Sequence, residues 1–176
     1  MSKVRVTLLL CTNMDGTEKR TPLIIGKSEN PRCFKGKKNF PVDYDFSSKA
    51  WMTTGIFWKW LQKWDQSLYR KKRKILLIVD NCTAHAAPRN LKHINLTFLP
   101  PNVTSLIQPL DQGIIRNFKV KYRDLLLRAA IRAFDKNQSF DPNVWDTMRW
   151  TSAAWAGVQQ STISNCFKHA TQKKMT

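Results

Sequence analysis

The first stretch of the chain carries closely spaced aliphatic and β-branched residues, interrupted by one strong turn signal. That signal is Asn13–Gly16, whose residue types favour a tight turn, and a second apolar run, Thr21–Ile25, follows it. The pattern predicts a β-hairpin over residues 3–26. A loop rich in lysine and arginine over 27–39 and a short extended piece over 41–46 come next.

The spacing of apolar residues changes over Thr54–Tyr69, where four of them recur at steps of four, three and four. This spacing predicts one face of an amphipathic helix. Ile75–Val79 is an uninterrupted apolar run bounded by charged and turn residues, which predicts a strand buried on both faces. We also expect a short helix over Pro88–His93 and a second buried strand over Ile94–Leu99. The four helical positions are Phe57, Leu61, Trp64 and Leu68.

Three helical patterns occupy the rest of the chain. The first begins near Asp111, the second opens after Pro142, and the third covers Ser161–Ala170. Strands that precede and alternate with helices are typical of an α/β fold with a mixed sheet. A length of 176 residues allows one domain with a sizeable core, and we expect it over 1–140, with 141–176 as a helical extension packed on it.

The charge of the chain indicates which class of partner it binds. It has 30 Lys and Arg against 12 Asp and Glu, a net charge of +18, and a pI of about 10.2. A pI above about 9 is typical of nucleic-acid-binding domains. The hydrophobic fraction of 42% argues against disorder. Binding to acidic protein partners is the alternative that the charge leaves open.

Two classes of protein are excluded by the same composition. No apolar run approaches the roughly 18 residues of a membrane span, and Lys3 and Arg5 lead into no signal-peptide core. We therefore expect a soluble protein. Four cysteines are widely spaced without a CxxC pair, which favours reduced thiols in an intracellular protein. They are Cys11, Cys33, Cys82 and Cys166.

Two carboxylates occupy positions where ligands commonly bind. Asp80 closes the apolar strand, and the carboxyl ends of strands line ligand sites in α/β sheets. Asp111 stands at the entry of a helix, so that the two acids could converge on one edge. Oxygen ligands suit Mg²⁺ or Mn²⁺, which promote phosphodiester chemistry. The alternative is structural, with Asp111 as a helix N-cap and Asp80 and Asn81 as a turn.

Other candidate residues are weaker. His85 could line a site near Asp80 or be a loop histidine bonded to backbone. Cys82, His85 and His93 offer no fourth ligand at zinc-finger spacing. The cluster Arg70–Lys74 could act in nuclear import or simply stay solvated. In the basic loop, Lys35, Lys37 and Lys38 are placed to contact phosphates, as loop cations over a site do.

The most distinctive strings of the sequence are Leu76–His85 (LLIVDNCTAH) and Phe98–Gly113 (FLPPNVTSLIQPLDQG). They resemble the Tigger/pogo group of DDE transposases with its domesticated relatives of the centromere protein B, jerky and Tigger-derived type. Shorter ones are Gly26–Ser28, Asn30–Phe34, Ala50–Thr53 and Thr162–Phe167. Together they extend over nearly the whole chain.

The resemblance implies a ribonuclease-H-like mixed sheet flanked by helices. It places Asp80 and Asp111 on the second and third members of the family's acidic triad. The same strings contain Asn81 and Gln108, which we expect to line the site with His85. The first acid belongs to a central strand upstream of the hairpin, and it has no counterpart in this sequence. Family helix-turn-helix modules have no counterpart either.

These expectations define the leading functional hypothesis, a DNA-binding remnant in the nucleus with little sequence preference. Phosphate contacts would come from the loop lysines and from Arg116 and Lys119 on the helix after Asp111. Two acids without the third should hold Mg²⁺ or Mn²⁺ poorly, so we expect no bound metal in isolation and little or no catalysis. The alternatives are a Mg²⁺-dependent DDE endonuclease or strand-transferase, and a domesticated protein-interaction domain. The sequence gives no indication of a particular protein partner.

Overall fold

The computed structural model describes residues 5–85, 90–100 and 108–172. These residues form two compact units. Unit 1 combines Met1–Trp51 with Pro109–Thr176, and unit 2 is the intervening Met52–Gln108. The fold is of the mixed α/β class, as the alternation of strands and helices predicts.

Unit 1 contains a three-stranded mixed sheet in the order β1-β2-β3. β1 (Thr7–Leu9) pairs antiparallel with β2 (Leu23–Gly26), and β2 pairs parallel with β3 (Asp43–Phe46). The predicted hairpin is therefore confirmed. Its turn uses Gly16 at φ +75°, and a Cβ added there would come within 2.9 Å of a backbone oxygen, so the turn requires glycine.

In the described part of unit 1, a π-helical turn and three helices follow Pro109. The π-helical turn Leu110–Ile114 leads directly into α2 (Ile115–Asp135), and α3 (Val144–Ala156) and α4 (Gln160–Gln172) follow. Asn143 caps α3, since its side chain accepts from the N–H groups of Trp145 and Asp146. The division at residue 140 falls between α2 and α3 and stays a prediction.

The core of unit 1 draws on both ends of the chain. Met148 of α3 is fully buried in a cluster with Ile24 of β2 and Val42, which precedes β3. A second cluster joins α2, α3 and α4 through Phe118, Trp155 and Ile163. Burial of such side chains stabilises a fold by roughly 1.5–3 kcal/mol each, so these clusters hold the N-terminal strands and C-terminal helices together.

Lys19 connects the hairpin to the end of α3. Its Nζ donates to the backbone oxygens of Trp155, Ala156 and Val158 at 2.8, 2.9 and 2.8 Å. The last carbonyls of a helix have no partners within the helix, and a cation there also opposes the negative end of the helix dipole. The Trp155 Nε1–H donates back to the Arg20 oxygen at 2.9 Å. Lys19 thus acts as a C-terminal cap supplied from a distant part of the chain.

The residues of unit 2 that the structure describes include an α-helix and a parallel pair of strands. α1 (Thr54–Arg70) begins where the Thr53 hydroxyl accepts from the Ile56 N–H, and β4 (Ile75–Val79) pairs with β5 (Ile94–Phe98). The predicted helix and the presence of both strands are therefore confirmed, but β5 is not the buried strand that we expected, since Asn95 and Thr97 are exposed. The buried face of α1 is wider than predicted, with Trp64 only half-buried. Its buried residues are Ile56, Phe57, Trp60, Leu61 and Leu68.

The expectation that β4 is buried on both faces is wrong. Leu77 is 8% exposed, whereas Leu76 and Ile78 are 59% and 51% exposed. Successive side chains of a strand point to opposite faces, so one face of β4 is covered and the other is not. Of the short helix expected over 88–93, residues 88 and 89 lie outside the described residues, and 90–93 form a turn and bend instead of a helix.

Asp65 on α1 fixes the start of β5. Its Oδ1 accepts from the N–H groups of His93 and Ile94 at 2.7 and 3.0 Å, and its Oδ2 accepts from Lys92 at 3.3 Å. Burial of Asp65 tends to raise its pKa, but these backbone donors outweigh burial and hold the pKa below its usual value. One carboxylate therefore joins the helix to the strand that lies beside β4.

Candidate acidic site and nucleic-acid interface

Asp80 lies directly after β4, at the carboxyl end of the strand, as the sequence predicts. Its Oδ1 is 2.5 Å from the Nδ1 of His85, which ends the 3₁₀ turn Thr83–His85. The two atoms are in close contact, but neither makes an aligned hydrogen bond within the part of the chain that the structure describes. The short turn thus brings the His85 side chain into contact with Asp80, which lies five residues earlier in the chain.

The helix of unit 2 also positions His85. The His85 ring centroid lies 4.4 Å from that of Phe57 on α1, with the two rings tilted by 39°. The histidine side chain is 14% exposed and the Asp80 side chain 35% exposed. A ring held on one side by an aromatic contact and on the other by a carboxylate has little freedom to turn. The Oδ1–Nδ1 contact therefore fixes the Asp80 carboxylate and the His85 ring relative to each other.

The other residues predicted to line this site differ in exposure. Asn81 and Cys82 are exposed, and they follow Asp80 in the segment that precedes the 3₁₀ turn. Gln108 is half-buried, and no hydrogen-bond partner for its buried Oε1 is found within residues 5–85, 90–100 and 108–172. The structure therefore brings His85 to Asp80, while a shared site with Gln108 stays a prediction.

Asp111 belongs to unit 1 and lies in the π-helical turn that leads into α2. The N-cap of this turn is Pro109, so the alternative interpretation of Asp111 as the N-cap is wrong. The backbone is kinked within this turn at Gly113, whose φ of +155° is not helical. Glycine permits this kink, and a Cβ there would lie 3.1 Å from the Cys166 Sγ on α4. The juxtaposition of Asp111 with Asp80 stays a prediction.

Few side chains near Asp80 are of the kind that binds a divalent metal. Mg²⁺ and Mn²⁺ prefer several oxygen ligands, and no group of three or more His, Cys, Asp and Glu residues occurs among the described residues. One oxygen of Asp80 is already in contact with an imidazole. Around Asp80, the contacts of the described residues therefore bring together one carboxylate and one imidazole.

The candidate cations of α2 are well exposed. Arg116 and Lys119 lie on the surface, and Arg123, four residues further on, is exposed on the same side of the helix. Lys121 differs, because it is half-buried and its Cδ lies 3.2 Å from the Cβ position of Gly157. α2 therefore presents a row of three cations, which we call the basic face: Arg116, Lys119 and Arg123.

The loop lysines lie on an ordered part of unit 1. The 3₁₀ turn Arg32–Phe34 is followed by Lys35, Lys37 and Lys38, all three exposed. The Lys37 Nζ lies 5.2 Å from the ring centroid of Trp145 on α3, a cation–π contact. The loop is thereby held against a helix while its charges still face solvent.

Sequence patterns alone did not single out a groove between α2 and α3. It has a volume of about 510 Å³, and three arginines, Arg128, Arg132 and Arg149, line it together with Trp150. Arg128 also donates from Nε to both oxygens of Asp124 at 2.9 and 3.0 Å. The sequence spacing of Arg128 and Arg132 shows that they share one side of α2. It does not show that Arg149 joins them, because that depends on how α3 packs.

The chain matches the family of DDE superfamily endonucleases over residues 3–167. It therefore belongs to the DDE superfamily endonuclease family. A strand-end aspartate and an aspartate at a helix entry lie within the matched range, in the strings that carry the resemblance.

Its relatives include proteins derived from transposable elements. Tigger transposable element-derived protein 4 of Mus musculus is 39% identical and covers 97% of this chain and 33% of its own length. Major centromere autoantigen B of Homo sapiens is 33% identical, covering 94% of this chain and 27% of its own length. CENP-B homolog protein 2 of Schizosaccharomyces pombe is 34% identical, covering 94% of this chain and 35% of its own length.

These similarities confirm the resemblance to the Tigger/pogo-derived group. The chain spans about a third of the length of these relatives. No solved structure matches the chain significantly. No helix in the described ranges is long and apolar enough to cross a bilayer.

Proposed function

We propose that this chain binds DNA in the nucleus with little sequence preference, chiefly through the basic face of α2. The observation that carries the proposal is the row of three exposed cations, Arg116, Lys119 and Arg123, on one side of a helix. Cations aligned at helical spacing can contact successive phosphates of a backbone, and phosphate contacts carry no base information. The names of two relatives, a transposable element-derived protein and a major centromere autoantigen, support a partner of this class.

The charge balance around this face supports a polyanionic partner. α2 carries six cations against two acids, Asp124 and Asp135, and the whole chain carries +18. The loop lysines Lys35, Lys37 and Lys38 add exposed charge in the same unit. Neutralising phosphates releases condensed counterions, so this kind of binding weakens steeply with salt.

The salt dependence of binding to random duplex DNA tests the proposal. We expect a linear fall of log K with log salt between about 0.05 and 0.2 M. The triple variant Arg116→Ala, Lys119→Ala, Arg123→Ala should flatten the slope by about 2 to 3, since each phosphate contact contributes roughly 0.9. A control triple variant, Arg70→Ala, Lys71→Ala, Lys74→Ala, removes equal charge from exposed positions of unit 2.

The two triple variants separate the proposal from its alternatives. Equal losses of slope in both would show that overall charge, and not the basic face, carries binding. Absent or salt-insensitive binding by the unmodified chain would refute DNA binding and favour a domesticated protein-interaction domain.

We further infer that the 176-residue polypeptide, taken alone, does not cleave DNA. Family resemblance assigns Asp80 and Asp111 to two of the three acids of a ribonuclease-H-like sheet, and it assigns none of these residues to the first. The contact between Asp80 Oδ1 and His85 Nδ1 supports this inference, because it engages an oxygen that a metal would need. An acid contributed from outside the 176 residues would be required to complete the set.

A nicking assay tests this second inference. Supercoiled plasmid incubated with the chain and Mg²⁺ or Mn²⁺ should stay supercoiled. Metal-dependent nicking that disappears in Asp80→Asn, and persists in the control Asp65→Asn, would establish the endonuclease alternative instead. The control Asp65→Asn is the same chemical change as Asp80→Asn, and both residues lie in unit 2.

A further inference from the structure

The outward side of α2 carries an apolar row that unit 1 does not cover. Val120, Leu127, Ile131 and Phe134 are 59%, 57%, 59% and 81% exposed, while Phe118 on the opposite side is buried. Large contiguous apolar patches are rare on monomeric proteins and commonly mark interaction sites. We call this row the apolar seam of α2.

The seam has the spacing of a coiled-coil helix. With Asp124 included, the positions Val120, Asp124, Leu127, Ile131 and Phe134 follow one another at steps of four, three, four and three. At about 100° per residue they fall within an arc of roughly 80°, narrower than the stripe of about 100° or more by which a helix faces a core. They extend for about 21 Å along the helix. A narrow, straight row of this kind fits one partner helix better than a broad surface.

The charges beside the seam determine which helix fits. Four of the flanking positions of the heptad pattern are cationic, Arg116, Lys121, Arg123 and Arg128, and only Asp135 among the charged ones is acidic. A second copy of α2 would place cations against cations, which disfavours pairing. A helix with acidic residues at its flanking positions would place opposite charges together.

We propose that the apolar seam of α2 docks an acidic amphipathic helix of a partner protein as a short two-helix coiled coil. Apolar residues of the partner at four-three spacing pack on Val120, Leu127, Ile131 and Phe134, and its acids pair with Arg123 and Arg128. Asp124, paired with Arg128 at 2.9 Å, is the polar residue within the seam and fixes the register of pairing. Arg116 and Arg123 also belong to the basic face, so this helix and DNA exclude one another there.

A labelled peptide tests the proposal with the whole 176-residue chain. The probe is a three-heptad helix with leucine at the seam positions and glutamate at the flanking positions, measured by fluorescence anisotropy at about 0.15 M salt. A second peptide of the same composition has its leucines out of register. We expect the second peptide to bind at least tenfold more weakly, and Leu127→Gln with Ile131→Gln to weaken the first at least tenfold. Leu76→Gln with Ile78→Gln, the same residue types exposed in unit 2, is the matched control and should bind normally.

Other occupants give different results. Equal binding of both peptides, or equal loss in both double variants, would overturn the proposal. Dimerisation of the chain that Leu127→Gln with Ile131→Gln abolishes would show that a second copy occupies the seam. Binding to vesicles of anionic phospholipid that the same substitutions abolish would assign the seam to a membrane surface. Circular dichroism of each variant shows whether its helices persist, and the single substitution Phe134→Gln, at the most exposed position, replaces any double variant that unfolds.

Discussion

Replacement of Asp65 by alanine should loosen the start of β5. The change removes the acceptor of three backbone N–H groups, two of them at 2.7 and 3.0 Å. Hydrogen bonds to a charged group contribute roughly 1.5–3 kcal/mol each, and the side chain is only 16% exposed, so water replaces them poorly. Relief of carboxylate burial offsets part of this loss. We expect a net local loss of about 3 kcal/mol.

Native-state hydrogen exchange of the His93 and Ile94 amides measures this loss directly. A loss of about 3 kcal/mol accelerates exchange roughly a hundredfold where local opening controls it. Asp65→Asn, which keeps an acceptor at Oδ1, should show a much smaller effect. Asp124→Ala removes an exposed carboxylate that is paired within one helix, and it should leave these amides unchanged.

The sign of the pH dependence provides a second check. Because the pKa of Asp65 is lowered in the folded state, its stabilisation is complete above the usual aspartate pKa of roughly 3.9. It is lost as pH falls through the lowered pKa. Exchange rates in Asp65→Ala that stay within threefold of those of the unmodified chain would refute the assignment of the start of β5 to this carboxylate.

Three further outcomes follow from contacts in unit 1 and from cysteine exposure. Gly113→Ala should destabilise the chain by about 1–3 kcal/mol in thermal unfolding, since φ is +155° there and the new Cβ meets Cys166; an unchanged melting temperature would contradict this. Lys19→Met should lower stability by about 2 kcal/mol in urea unfolding because the end of α3 loses its cap, whereas Lys19→Arg should lower it less. Burial raises the pKa of Cys11 to about 11, so alkylation at pH 8 followed by mass spectrometry should label exposed Cys82 before Cys11.

Local patterns predicted the elements of the chain well, and for a physical reason. The steps of four and three over Thr54–Tyr69 are imposed by the helix itself, so the observed α1 ends within one residue of the prediction. The turn residues Asn13–Gly16 likewise define a hairpin through their own backbone preferences. Such signals need no knowledge of the rest of the molecule.

Pairing and burial depend on distant residues and were predicted less well. An apolar run such as Ile75–Val79 shows that a strand forms, but it does not show whether a neighbour covers Leu76 and Ile78. The strands form a mixed sheet of three and a parallel pair, a division that periodicity alone does not encode. Lys19 reaches oxygens 136 to 139 residues away, a contact with no trace in the local pattern.

The candidate site shows the same limit. Asp80 could be placed at a strand end from the sequence, and the family strings brought His85 into consideration. The 3₁₀ turn that returns His85 to Asp80, and the π-helical turn around Asp111, were not predicted because both depend on departures from regular helix geometry. The arginine groove could not be predicted from the sequence, because it is formed by the packing of α2 on α3.

The discontinuity of unit 1 has a consequence for how the polypeptide is made. Its sheet is synthesised first, whereas α3, the helix that packs on Ile24 and Val42, emerges only after the whole of Met52–Gln108 has left the ribosome. At about 5–20 residues per second, the nascent strands wait several seconds for their covering helices. Unit 2 is contiguous and can mature during that interval, so vectorial synthesis favours the inserted segment folding before the unit that surrounds it.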